Sequence, residues 1–365
     1  MALALNQATV DSLVILERYR VGASFRRWPK EMQFITPSFP GNAFGQVDLN
    51  AVHPRTSPAL FLGREHPRGT EYARYLLRLA KHFRLPVREN EEVAAVQTAN
   101  GFFVLTTLRH EYRARFLIWA AGEFPYPRTA PFPGAAYGLH NSRVRSWKAV
   151  NGDPVVVVGG FESGIDAACH LAALGRRVVV LDPRAPWRDA GESDPSLALS
   201  PFTRERLRRL RQMESFAAGK HVQFLAEPVL RIDAAEGAYR VKTPRRIIST
   251  TVRPILATGF EGSLTRIREF FEWDQEGGFP LLNAAADEST RTPGLFVCGP
   301  MVRHRTPNGL AILCFIYKFR MRFALVAAAI AQRLGHDPTP MLANYEAANM
   351  VLNDVASCCG PACAC

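Results

Sequence analysis

The residues with the clearest chemical purpose are Gly159-Gly160-Phe161-Glu162-Ser163-Gly164, set between a run of four valines, Val155–Val158, and an alanine-rich stretch. A continuous β-branched run reads as a strand buried on both faces. Gly159 permits a tight turn, and Gly164 lets the following helix, expected from Ser163, approach that strand closely. Free N–H groups at the helix start, aided by the helix dipole, would face an anion such as a pyrophosphate. A second buried strand, Arg177 to Leu181, ends on Asp182, an acid placed to accept hydrogen bonds from a ribose diol and to repel a 2′-phosphate. Arg184 and Arg188, just beyond, carry the opposite preference, so NADH and NADPH both stay open. Strand, glycine turn, helix, strand and acid follow in the order of a dinucleotide-binding unit, with Phe161 in the middle glycine position of G-x-G-x-x-G.

A second group closes the chain, where Cys358, Cys359, Cys363 and Cys365 fall within eight residues. Soft thiolates at this spacing suit zinc, copper(I) or an arsenic-type ion; adjacent cysteines also suit a redox tail, and a thiol-rich end with no fixed partner is the third reading. Cys169, Cys298 and Cys314 lie in apolar surroundings and read as core. No Cys-x-x-Cys redox pair occurs in the main body. His140, His304 and the acids show no readable pairing, so the sequence assigns no general acid or base.

These residues need a scaffold, and 365 residues that are 47% hydrophobic and 21% charged suffice for two globular domains. The net charge of +12 is mostly arginine and suits anionic ligands such as nucleotide phosphates. Nucleic acid is not the expected partner: the arginines are dispersed, Arg204 to Arg211 reads as a solvated helix face, and no nucleic-acid-binding motif accompanies them. The apolar run Phe323 to Ala331 is too short to span a bilayer, and no targeting segment is visible, so a cytoplasmic location is expected. Ser12 to Leu16 forms a further short apolar strand ending on an acid, Glu17, as the second strand of a nucleotide unit does. The eleven residues before it supply the end of a helix, but not a first strand and its glycine turn.

After Glu17, the run Gly22-Ala-Ser24-Phe25-Arg-Arg-Trp28 resembles the Gly-(Gly/Ala)-Ser-Phe-x-x-Trp segment of FAD-dependent pyridine nucleotide oxidoreductases, in the branch of flavin-containing monooxygenases and cation-efflux-associated flavoproteins. Ala120-Ala121-Gly122-Glu-Phe-Pro resembles the first junction between their domains, with Ala121 where threonine is usual, and Ala257-Thr258-Gly259 is a second copy. Thr292 to Pro300 resembles a late strand and turn, with Pro300 after Gly299 where an acid usually meets the flavin ribityl chain. A helix from about Leu310 to Arg333 would follow. The resemblance runs from Ser12 to about Arg333 and implies an α/β fold of two Rossmann-like domains. The FAD domain would comprise 1–125 and 290–350, the NAD(P) domain inserted at 126–289, with 351–365 as the cysteine-rich tail.

It further implies FAD at Glu17, Ser24, Phe25, Trp28, Ala121, Gly122, Thr258, Gly259, Gly299 and Pro300. NAD(P)H would sit at Gly159, Gly160, Phe161, Glu162, Ser163, Gly164, Asp182 and Arg184, and would pass hydride to the flavin. The expected activity is monooxygenase-like on a small molecule. A thiol-disulfide reductase of the bacillithiol type, and a non-catalytic NAD(P)-binding relative acting as a sensor, remain open beside it. The expected further partners are a soft metal or metalloid at the tail and a second copy of the chain.

Overall fold

The computed structural model describes residues 1–40, 48–188, 196–216, 221–235, 237–276 and 278–359, without the side chains of 215, 216, 358 and 359. The tail assignment at Cys358, Cys359, Cys363 and Cys365 therefore lies outside the described side chains.

Helix α1 (Ala2–Gln7) leads into β1 (Ile15–Glu17), which pairs in parallel with β2 (Val87–Glu89). Between them lie α2 (Ala23–Arg26), α3 (Pro58–Leu62) and α4 (Gly69–His82). Ser57 caps α3 by accepting the Leu60 N–H, and the proline beside it fits a first helical turn. Three antiparallel strands follow: β3 (Val93–Ala99), β4 (Phe102–Thr107) and β5 (Glu111–Ala114). Asn100-Gly101, both at positive φ, makes the tight turn between the first two. Strand β6 (Leu117–Trp119) then carries the chain to the first junction.

The next stretch builds β7 (Leu139–His140), β8 (Val155–Val158), α5 (Glu162–Ala173), β9 (Val178–Leu181), α6 (Pro201–Phe216) and β10 (Val222–Leu225). An antiparallel meander of β11 (Arg231–Ala235), β12 (Ala238–Lys242) and β13 (Ile247–Thr250) precedes β14 (Ile255–Leu256). Five of these strands form one parallel sheet in the order β10-β9-β8-β14-β7. The valine runs make this sheet: all four residues of β8 and of β9 are buried, beneath Ile165 and Leu171 of α5. Each fully buried valine contributes about 1.5–3 kcal/mol by removal from water.

The chain returns through β15 (Leu295–Val297), parallel to β6. Its other edge is covered by the antiparallel segment around Asp287–Ser289, through Val297 N–H to the Asp287 carbonyl and Ser289 N–H to the Leu295 carbonyl. Among the described residues, β1–β2 and β6–β15 are separate two-stranded sheets. The hairpin of β16 (Arg303–Thr306) and β17 (Gly309–Ile312) comes next. Leu310 to Ile312 is thus strand and not the start of a helix, because Pro307-Asn308-Gly309 turns the chain back, with Gly309 at a φ of +116°. The helical stretch begins at α7 (Ile316–Phe319) and continues through one 3₁₀ turn into α8 (Phe323–Arg333), against which α1 and α9 (Thr339–Ala347) pack. No helix of the described residues is long and apolar enough to cross a membrane.

One partly buried polar chain joins the two halves. Glu31 accepts Ser146 Oγ–H (2.5 Å) and the Trp147 N–H (3.0 Å). The fully buried Trp147 indole donates to Asp166 on α5 (3.3 Å), which also pairs with Arg206 of α6 and His170.

Candidate functional site

The C-terminal ends of β6, β15, β8 and β14 carry the glycines singled out in the sequence. The two junctions are stitched together there: Ser263 N–H donates to the Gly122 carbonyl, Arg128 N–H to the Gly259 carbonyl, and Pro127 bridges Phe260. Thr258 Oγ1 donates to the Arg128 carbonyl, and the His140 ring pairs with the Gly259 carbonyl at 3.0 Å. His140 thus has a structural partner.

The glycines divide into two kinds. Gly159 and Gly164 are needed for packing. A Cβ on Gly164 would lie 1.9 Å from the Gly159 carbonyl oxygen, and one on Gly159 2.2 Å from that of Ala257. Gly122, Gly259 and Gly299, at positive φ like Gly159, instead have nothing within 4 Å of where a Cβ would stand, and Ala120 and Ala121 are exposed at the end of β6. A strand end in the middle of a fold that meets open space leaves room for a close-packed ligand.

In the β8–α5–β9 unit, the Asp182 carboxylate accepts the Gly160 N–H and the Arg184 N–H, both at 2.9 Å, and the residue is only 4% exposed. Its oxygens hold the turn together from inside. The Trp187 ring packs directly on Gly160, where a Cβ would meet it at 2.2 Å. The Arg184 side chain is 82% exposed, with its Nε 3.7 Å from the Asp182 carboxylate. Glu162 opens α5 as a partly buried acid whose carboxylate accepts from Ser200 and Thr203 at the start of α6. Burial pushes the Glu162 carboxyl above the usual range, against the hydrogen bonds from Ser200 and Thr203, which lower it. Phe161 precedes α5 in extended conformation, and Ser163 lies in its first turn.

Near β1, Glu17 accepts the Tyr19 N–H at 2.9 Å, and burial together with the neighbouring Glu89 raises its carboxyl. Phe25 and Trp28 join Phe34 and Tyr72 in an aromatic cluster, with Phe25 4.8 Å from Tyr72 and Trp28 5.0 Å from Phe34. This cluster supports the segment that carries Ser24. Gly299 and Pro300 follow β15, and Met301 beyond them touches Ser263.

Sequence reasoning passed over several residues that the fold gathers. Asp287, His304 and Arg322 form one buried set: the His304 ring is 2.7 Å from Asp287, which Arg322 grips with both Nε and Nη2. Ser196 meets Cys314 at 3.5 Å and Lys318 at 3.0 Å, and the charges of Glu123 and Arg303 act on the Cys314 thiol. A glutamate directly after Ala121-Gly122 was the available signal for that group. Cys298 is buried and its thiol pushed up to about 12, whereas Cys314 is only partly covered. Among the described residues, no group of three or more histidines, cysteines and acids is placed to hold a metal.

The parallel sheets and the stitched junctions between them are those of an oxidoreductase of the FAD/NAD(P)-binding two-domain fold. Residues 1–299 match the model of the pyridine nucleotide-disulphide oxidoreductase family, and the chain belongs to it. Membership implies FAD and NAD(P)H as cofactors. The chain is 32% identical over 110 residues to the uncharacterized oxidoreductase CzcO of Bacillus velezensis, covering 29% of this chain and 32% of that one. The chain thus spans about a third of the length of that curated relative. It is 26% identical over 242 residues to the bacilliredoxin reductase Bdr of Bacillus subtilis, covering 66% and 69% of the two chains. The solved bacillithiol disulfide reductase of Staphylococcus aureus is similar in fold, with a TM-score of 0.69 at 20% identity over 91% of this chain and 95% of that one.

Proposed function

We propose that this chain is a flavin-dependent NAD(P)H oxidoreductase. The observation that carries the reading is the contrast between glycines: packed at Gly159 and Gly164, open at Gly122, Gly259 and Gly299. The ring end of the flavin would rest at Ala121, Gly122, Gly299 and Pro300, and its adenosine beside Glu17, Ser24 and the Phe25–Trp28 cluster. The pyridine nucleotide phosphates would meet the start of α5 at Phe161 to Gly164. Flavin supplies hydride-accepting chemistry when bound; the protein's share is positioning and electrostatics. Residues 126–289 would form the pyridine-nucleotide unit, inserted between the parts 1–125 and 290–350 of the flavin unit. Because Asp182 is turned inward while Arg184 is exposed, NADPH is the preferred donor.

The Gly22–Trp28 segment supports a monooxygenase-like activity. The match to bacilliredoxin reductase over two thirds of the chain supports a second reading, reduction of a small disulfide. The test is the visible spectrum of the purified protein with added FAD, followed by NADPH oxidation with oxygen and an amine or sulfide, against NADPH oxidation with a low-molecular-weight disulfide. Absence of flavin absorbance would sink the proposal. Turnover with the disulfide alone would choose the second reading.

A further inference from the structure

Helix α3 carries an apolar tip that the fold leaves in water. Its inner side is anchored: Pro58 is buried, Ser57 Oγ accepts the Leu60 N–H at 3.2 Å, and Thr56 Oγ1 lies 2.7 Å from the Tyr75 hydroxyl of α4. Leu60 and Phe61 face outward, 75% and 45% exposed, with the Phe61 ring 6.2 Å from that of Tyr75. Phe39, 40% exposed, is brought beside the helix end because the Ser38 N–H donates to the Glu65 carbonyl at 2.6 Å. Single exposed apolar residues are ordinary, but three large ones gathered at one helix end mark a contact surface.

Cations surround this tip. Within the described residues 60–81, five cations are exposed, Arg64, Arg68, Arg74, Arg78 and Lys81, against one exposed acid, Glu65. Arg74, Arg78 and Lys81 recur at the spacing of one helical face, away from the buried Tyr72 and Leu79. Helix α3 packs beside that face: Arg64 pairs with Glu71 of α4 at 2.9 Å, and Phe61 meets Tyr75, which lies between Arg74 and Arg78 in the sequence. We propose that this tip docks the protein on an anionic phospholipid surface, with Leu60, Phe61 and Phe39 entering the acyl boundary and the arginines meeting the headgroup phosphates. Apolar tip and basic rim together select this occupant. A stable protein complex buries about 800 Å² a side, far beyond three side chains around a five-residue helix, whereas a bilayer asks for no shaped pocket. Nucleic acid would use the cations but leave Leu60 in water. Anionic lipid satisfies both, through apolar burial and attraction to each arginine.

These residues stand outside the cofactor sites, so flavin loading does not enter the test. The full chain is sedimented with vesicles of phosphatidylcholine alone or with about 30% phosphatidylglycerol, at about 0.05 and about 0.5 M salt. Binding should be confined to the anionic vesicles and weaken as salt rises. Leu60→Ser with Phe61→Ser should lower the partition coefficient at least about 10-fold, and Arg74→Gln with Arg78→Gln about 5-fold for each arginine lost. Leu60→Gln alone, at the most exposed of the three apolar side chains, should give a smaller loss and keeps the test valid where the double variant unfolds. Thermal unfolding that matches wild type is the control in each case. No binding to anionic vesicles overturns the proposal. So does binding that persists in every Leu60 variant, which would make the attraction one of charge alone. Retention of a single-stranded RNA probe in place of vesicles overturns it as well, and would assign the cations to nucleic acid.

Discussion

Replacing Arg322 by leucine tests how the late strand and its turn are held. Arg322 is 1% exposed and its partner Asp287 fully buried. The guanidinium bonds both Asp287 oxygens at 3.0 Å and donates to the Leu352 and Ala284 carbonyls at 2.6 and 2.5 Å. Leucine fills most of the volume but leaves a buried carboxylate with only the His304 ring beside it, and two carbonyls without that donor. Breaking one side of a buried pair costs about 3–5 kcal/mol, against a total stability of about 5–15 kcal/mol for a typical protein. With an m-value near 3 kcal/mol/M, a loss of about 4 kcal/mol moves the urea midpoint down by about 1.3 M, read by far-ultraviolet circular dichroism. The double variant with Asp287→Asn supplies the cross-check. Asparagine tolerates the φ of +56° at this position, and no buried charge remains. The double variant should therefore be more stable than Arg322→Leu alone. A loss under about 1 kcal/mol for the single variant, or a double variant that is worse, would refute the reasoning.

Other outcomes follow from packing and charge. Gly164→Ala forces a methyl against the Gly159 carbonyl, so helix and strand must separate; thermal unfolding should report a loss of about 1–3 kcal/mol and NADPH titration weaker binding. Arg184→Gln should raise KM for NADPH about 10-fold while leaving NADH unchanged, because only the former offers a 2′-phosphate. Arg333 grips Glu288 with two bonds of 2.6 Å and, after some opposing desolvation, holds its carboxyl below the ordinary 4.5. A depressed acid stabilises the fold above its unfolded value and loses that contribution as pH falls through the folded one. Glu288→Gln should therefore cost stability at neutral pH and narrow its difference from wild type below about pH 4, in urea titrations across that range.

The β8–α5–β9 unit was legible because local rules agree there: valine runs give buried strands, and the glycines fall where backbone meets backbone. The β16–β17 hairpin has its own signal in Asn308-Gly309, a turn dipeptide that overrides the helical appearance of the apolar Leu310 to Ile312. What the sequence could not disclose are directions. Asp182 stands at the expected strand end, yet its oxygens face the Gly160 and Arg184 amides. Glu162 is fixed by Ser200 and Thr203, 38 and 41 positions on, and Asp287 meets Arg322 across 35. Contacts at such separations have no periodic signature, so the meeting of Ser196 with Cys314 and Lys318 was invisible residue by residue.

The Glu31–Ser146–Trp147 link has a consequence for the order of folding. Its partners are 115 and 116 residues apart, whereas β8 and β9 pair across 23. Closing the longer loop costs more chain entropy and is repaid only once α5 has already placed Asp166 under the Trp147 indole. The two halves are thus expected to form separately and dock last, with the Glu31 contacts to Ser146 and Trp147 the last to close. Glu31→Gln should therefore slow or weaken docking while leaving formation of the β8–α5–β9 unit unchanged in refolding experiments.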